Sequence, residues 1–165
     1  MKWDELGDQQ CSIARSSAVL GDRWTLLIIS DFFLGVRRFD VFFERLGIPR
    51  TTLANRLSLL EEHDVLKAVP YQDNPTRYEY RLTPKGLELY PMLATLLAWG
   101  DKYYSDEAGP PIIRTHTECG HDFQVFAGCS ECGEPVDPRA VSARKRPDDK
   151  NFPPVLRGPV SKAHR

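Results

Sequence analysis

With 165 residues, 41% of them hydrophobic and 10% aromatic, the chain is long enough for one domain of ordinary size plus an appendage, and apolar enough to pack a core. A formal net charge of -1 excludes a uniformly basic protein. No apolar run approaches the roughly 18 residues of a membrane span, and the opening "MKWDELGDQQ" lacks the apolar centre of a signal peptide, so a soluble, cytoplasmic protein with no membrane partner is the expectation.

In chain order, apolar residues recur at helical spacing from Ser12 to Leu20 and again from Arg23 to Leu34, with Gly21 and Asp22 as the break. A third, short helix fits "RFDVFFERL", where Phe39, Phe42, Phe43 and Leu46 share one face, and "GIP" then turns the chain. Pro49 suits the first turn of a fourth helix from Arg50 to about His63, which points Leu53, Leu57 and Leu60 inward and leaves Arg50, Thr51, Asn55 and Arg56 on another face. "LKAVPYQ" and "RYEYRL" alternate around the turn-prone "DNPT" and predict a hairpin. "TPKGLELYPMLATLLAWGDKYY" predicts one long helix capped by Thr83, with Pro84 at its first position. Its apolar rows, Leu89, Leu93, Leu96 and Tyr90, Leu97, Tyr104, are wide enough to cover a core and still offer a face to a second copy of the chain.

Pro110 and Pro111 mark a boundary, which divides the chain into residues 1–109, a cysteine-bearing module at 110–140 and a tail at 141–165. From Arg139 to Arg165 there are eight Lys or Arg against Asp148 and Asp149, with Pro147, Pro153, Pro154 and Pro159 and little apolar periodicity. That composition predicts a basic, disordered tail from about Lys145 onward.

Two helices joined by a tight turn and followed by a two-stranded hairpin is the order of a winged helix-turn-helix, in which the second helix enters the major groove of DNA and the hairpin lies along the backbone. Arg50, Thr51, Thr52, Asn55 and Arg56 are residue types able to bond base edges or phosphates, and Arg77 and Arg81 add positive charge on the hairpin. The plainer alternative is that these side chains form only a solvated face.

Residues 11 to 104 resemble the HxlR-type bacterial transcriptional regulators. "VLGDRWTLLII" is similar to their second-helix segment, "RRFDVFFERLGIPRTTLANRLSLLEEHDVL" to their helix-turn-helix, and "RYEYRLTPKGLELYPMLATLLAWG" to their wing strand and dimer helix. Two departures stand out: Ser12 and Val36 occupy places where proline is common in the family. The resemblance implies a fold that is mainly α with a small β wing, and a homodimer acting on double-stranded DNA at a promoter operator. It implies a DNA-binding set of Arg37, Arg38, Arg50, Thr51, Thr52, Asn55, Arg56 and Arg77, and a dimer interface drawn from Leu89, Leu93, Leu96, Leu97 and Tyr104.

Four cysteines in a reducing compartment, three of them clustered, argue for metal or redox chemistry over a disulfide framework. "HTECG" and "CSECG" each set two ligands three positions apart before a glycine that lets the backbone fold back and aim amides at sulfur, the pattern of a zinc knuckle. Together they propose His116, Cys119, Cys129 and Cys132 as a closed structural Zn2+ site in a zinc-ribbon-like hairpin, with His121 as the alternative to His116. Two rivals remain: a thiol pair, Cys129 and Cys132, and a deaminase-like metal-dependent hydrolase with Glu118 as acid and base. Spacing disfavours the hydrolase, because Glu118 and Cys129 leave no room for a strand and helix between them.

Cys11, just ahead of the first helix, matches the place where proteins similar to this one sense oxidants or electrophiles; otherwise it is a small packing residue. A small-molecule effector could use a pocket lined by Trp24, Tyr90 or Trp99, though aromatic residues at helical spacing are more often core. A non-enzymatic DNA-binding regulator is therefore expected, against a metal-dependent hydrolase or a winged-helix adaptor that binds proteins instead of DNA.

Overall fold

The computed structural model describes Gly7 and residues 11–143. The expected basic tail, from about Lys145 onward, lies outside the described residues. Helices α1 (Ser12–Leu20), α2 (Arg23–Phe33), α3 (Phe39–Leu46) and α4 (Arg50–Glu62) lead into strands β1 (Leu66–Asp73) and β2 (Thr76–Leu82). Then come α5 (Pro84–Leu87), α6 (Tyr90–Tyr104), β3 (Thr115–His116), β4 (His121–Asp122) and a 3-10 turn at Pro138–Ala140. This is a mainly α fold with a small β wing. The chain divides into two compact units, Met1–Leu97 and Ala98–Arg165, so the Pro110 and Pro111 pair falls inside the second.

The first unit is built around α2, whose Ile28, Ile29 and Phe32 are fully buried against Phe42 of α3 and Leu53, Leu57 and Leu60 of α4. Each such side chain contributes about 1.5–3 kcal/mol on leaving water. Asp22 caps α2 by accepting from the Trp24 amide at 2.9 Å, which explains why the chain breaks after Gly21. Beside this apolar cluster Asp31, 5% exposed, accepts two bonds from Arg45 at 3.1 Å each and so ties α3 to α2. A buried carboxylate is tolerated only with such partners.

Strands β1 and β2 pair antiparallel from Leu66↔Leu82 to Asp73↔Thr76, with a bulge between Pro70 and Gln72. Pro70 has no amide to donate, so the ladder slips there and Tyr71 is the extra residue. On the other edge of β2, the Tyr80 amide donates to the Arg37 carbonyl at 2.7 Å and Arg38 bridges to Glu79, which adds a rung that the sequence pattern did not suggest.

The long C-terminal helix expected from Pro84 onward is instead two helices. Pro91 cannot donate to the carbonyl of residue 87, and its ring clashes with that carbonyl, so α5 stops at Leu87 and α6 restarts at Tyr90. The Thr83 hydroxyl accepts from the Gly86 amide at 3.2 Å and donates to the Asp64 carbonyl at 2.6 Å, which locks the end of the wing to the turn after α4. Gly86 lies so close to the residue leading into β1 that a Cβ there would collide with the Val65 carbonyl oxygen.

Candidate nucleic-acid interface and cysteine module

The buried row of α4, Leu53, Leu57 and Leu60, dictates what its opposite side shows. Thr51 and Asn55 are exposed one turn apart, Thr52 and Arg56 sit half-buried beside them, and Arg50 opens the helix at the surface. The Arg50 guanidinium donates to Asp40 at 3.1 Å and lies 4.4 Å over the Phe43 ring. Both partners of that ion pair are largely exposed, so it holds Arg50 weakly and leaves it available to a phosphate. Arg56 keeps its Nε buried with no hydrogen-bond partner. On the wing, Arg77 is exposed beside the turn, opposite Gln72, while Arg81 is paired with Glu79 at 2.6 Å.

Arg37 and Arg38 separate in role. Arg38 is exposed and lies 4.4 Å over the Tyr71 ring, at the wing surface. Arg37 is half-buried and spends one guanidinium nitrogen on the carbonyls of Val36, at 2.7 Å, and Phe32. It braces the end of α2 and does not reach out with the others. Sequence spacing could not separate two adjacent arginines; the rung on β2, which turns their side chains to opposite sides, does so.

Along α6, Leu93 is 3% exposed and belongs to the core, while Leu89 and Leu97 pack against it. Leu96 and Tyr104 are exposed, in company with Met92, Trp99 and Tyr103. Spacings of three and four put Met92, Leu96, Trp99 and Tyr103 on one face. The five residues expected at a dimer interface thus divide between core and surface. Cys11 occupies the N-cap of α1, exposed, with no capping bond from its side chain.

The cysteine module consists of two equivalent turns. Strands β3 and β4 flank the first, where the Gly120 amide donates to the His116 carbonyl at 2.7 Å and the His116 Nδ1 stands 3.3 Å from the Cys119 sulfur. The second is closed by a Gly128↔Pro135 bridge, and there the Gly133 amide donates to the Cys129 carbonyl at 2.8 Å. Gly120 and Gly133 have φ of 73° and 76°, the left-handed conformation that side chains resist, which explains why each turn ends on glycine. Backbone amides of Cys132 and Glu131 pull the Cys129 thiol below its ordinary pKa. His121 lies directly across the β3–β4 pair from His116. Among the described residues no group of three or more His, Cys, Asp or Glu side chains stands together as a metal-holding set, so the structure does not bring the four expected ligands together: His116 lies beside Cys119 in one turn, and Cys129 beside Cys132 in the other. Glu118 is exposed in the first turn, and the chain from there to Cys129 forms no helix.

Residues 19–108 match the HxlR-like helix-turn-helix family. The uncharacterized HTH-type transcriptional regulator Rv3095 of Mycobacterium tuberculosis is 42% identical over 139 residues, 84% of this chain and 88% of that protein. A span of that length on 165 residues necessarily includes positions 116 to 132, so the similarity continues through the cysteine module. The crystal structure of PA1607, a candidate transcription factor, superposes with a TM-score of 0.76 at 31% identity, over 85% of this chain and 98% of that one. The redox regulator HypR in its reduced form gives a TM-score of 0.53 at 25% identity, over 56% of this chain and 92% of its own.

Proposed function

Because the chain belongs to the HxlR-like helix-turn-helix family, we propose that it is a transcriptional regulator that binds a double-stranded DNA operator as a homodimer. The observation that carries this is the exposed face of α4, where Thr51 and Asn55 stand next to Arg50, with Arg77 at the tip of the following hairpin. Recognition helices read base edges from their first turns, while wing arginines contact phosphate. The exposed α6 face of Met92, Leu96, Trp99 and Tyr103 supports pairing with a second copy, and a symmetric dimer would read two half-sites. Acting on an operator would place the protein in the cytoplasm. No helix among the described residues is long and apolar enough to cross a membrane.

A mobility-shift series on the region upstream of its own gene tests this. Asn55→Ala is expected to cost about 1–3 kcal/mol on specific operator and little on random DNA. Arg77→Ala is expected to weaken both alike and to flatten the salt dependence. Equal losses on random DNA for both variants would show that α4 does not read sequence.

The cysteine module is read as two knuckles sharing one structural Zn2+ through His116, Cys119, Cys129 and Cys132. Supporting it are the matched turns and the amides aimed at Cys129. The short contact with Cys119 favours His116 over His121. Four protein ligands leave no open position for water, so no catalysis is assigned to the module. The hydrolase alternative is disfavoured because the chain between Glu118 and Cys129 holds only the two-residue β4 and no helix, where a deaminase needs a full strand and helix. Cys11 is the candidate redox trigger, on the strength of its exposure and of the likeness to the redox regulator HypR. Peroxide treatment that abolishes DNA binding while Cys11 remains unmodified by mass mapping would place the trigger elsewhere.

A further inference from the structure

At the root of the wing lies an open cleft of about 580 Å³, lined by Phe32 and Phe33 of α2, Arg37, Glu79, Arg81 and Leu82 of β2, and Leu87 of α5. Its size is that of a small-molecule site. Trp24, Tyr90 and Trp99, the aromatic residues that suggested an effector pocket from sequence, are not part of its lining. Phe33 and Leu82 are half-buried and Leu87 is 56% exposed, so the apolar wall still has surface to cover. Two guanidinium groups share the lining. Arg81 is already engaged by Glu79 at 2.6 Å. Arg37 is anchored by two carbonyls and, among the described residues, pairs with no carboxylate. Two arginines and one glutamate leave a single uncompensated positive charge beside apolar carbon.

We propose that this cleft binds a small organic monoanion, an aromatic or otherwise apolar body carrying one carboxylate, with the carboxylate on Arg37 and the body against Phe33, Leu82 and Leu87. A pre-oriented guanidinium in a partly desolvated cleft favours a carboxylate over a neutral polar group. A bare phosphate would leave the apolar wall uncovered. The cleft also adjoins what moves DNA affinity. The Arg37 carbonyl holds the Tyr80 amide of the wing at 2.7 Å, Arg38 is its neighbour, and the Phe33 ring packs 4.9 Å from Tyr90 at the start of α6. A bound anion adds negative charge at the root of the wing, so it lowers DNA affinity, and by linkage DNA lowers anion affinity by the same factor. This regulatory consequence rests on the operator-binding reading; occupancy of the cleft does not.

The test is a fluorescence titration of the DNA-free full chain with 2-naphthoate, with 2-naphthamide as the neutral control. Saturable binding of 2-naphthoate is expected, with none of the amide. Arg37→Gln should weaken it about tenfold or more, as for loss of a charged hydrogen bond. Because Arg37 also braces α2, the exposed Leu87→Glu change provides a second variant; it should weaken binding similarly while the unfolding transition stays in place. Absence of saturable binding, equal binding of the amide, or undiminished binding by Leu87→Glu would overturn the site. Repeating the mobility shift with 2-naphthoate present should weaken the DNA complex. Should the chain bind 2-naphthoate as described yet bind no operator, the cleft stands and the operator reading falls.

Discussion

Gly86 shows how much a single atom decides in this fold. Its missing side chain lets α5 approach the start of the wing until a Cβ would collide with the Val65 carbonyl oxygen, a backbone atom that cannot step aside. Gly86→Ala should therefore destabilise the winged unit by about 1–3 kcal/mol, as overpacking does, and a urea titration reads this as a lower midpoint at unchanged slope. "TPKG" displays the cap and the proline but gives no hint of the neighbour. Asp31 and Arg45 are the same kind of case. The carboxylate raises the Arg45 pKa further through its hydrogen bonds and charge, yet a partner 14 positions away carries no local signal. Arg45→Ala should lower the melting temperature by leaving Asp31 buried without its cation.

The helix α6 carries one buried row and one exposed row, and the proposed roles of its residues divide accordingly. Leu93 fills the core of the first unit, so Leu93→Ala should cost about 2–5 kcal/mol of folding stability while leaving the proposed assembly intact in the molecules that remain folded. Leu96, 43% exposed, is free of that duty. Leu96→Glu should leave the folding of the single chain nearly unchanged, read at concentrations too low for assembly, and weaken assembly by about 2 kcal/mol or more, read as a shift toward monomer in sedimentation. Dimerisation equally impaired by both changes, or a monomeric parent protein, would refute the assignment of the face. The apolar periodicity of "LELYPMLATLLAWG" revealed both rows at once without distinguishing them. Burial of Leu93 in the core cluster of the first unit is what separates them.

At the scale of the molecule, the core of the first unit closes on itself: every residue of the buried cluster, from Ile28 to Leu93, precedes the division at Leu97. The second unit has no comparable cluster among the described residues; Cys119, Cys132, His116 and His121 are exposed and Cys129 is half-buried. A piece so poor in core would gain order from a bound metal, for which structural zinc can supply on the order of 10 kcal/mol. Purified protein should carry about one equivalent of zinc per chain, lost in Cys129→Ser, as expected for a closed structural site. Chelation should then abolish protease resistance of the segment around residues 116 to 136 and spare the main unfolding transition. Zinc-free protein with that segment still resistant would remove metal from the account.

Local chemistry was enough to establish the order of elements. The apolar spacing of α1 to α4, the Gly21–Asp22 break, the alternating strands around "DNPT" and the paired glycine-terminated turns each depend on neighbours within a few positions, and each stands where the sequence implied. The exposed face of α4 was equally legible, because a helix that buries Leu53, Leu57 and Leu60 must show Thr51 and Asn55 on another side. The break at Pro91 was also written locally, but the apolar rows on either side of it masked the proline. What only the tertiary structure decided were the relations between distant residues. These are Arg37 turned inward while Arg38 faces out, Asp31 held by Arg45, Leu93 in the core while Leu96 is not, and a cleft assembled from α2, β2 and α5. Such relations depend on the packing of one surface against another, and a side chain's own neighbours in sequence carry no record of which surface that will be.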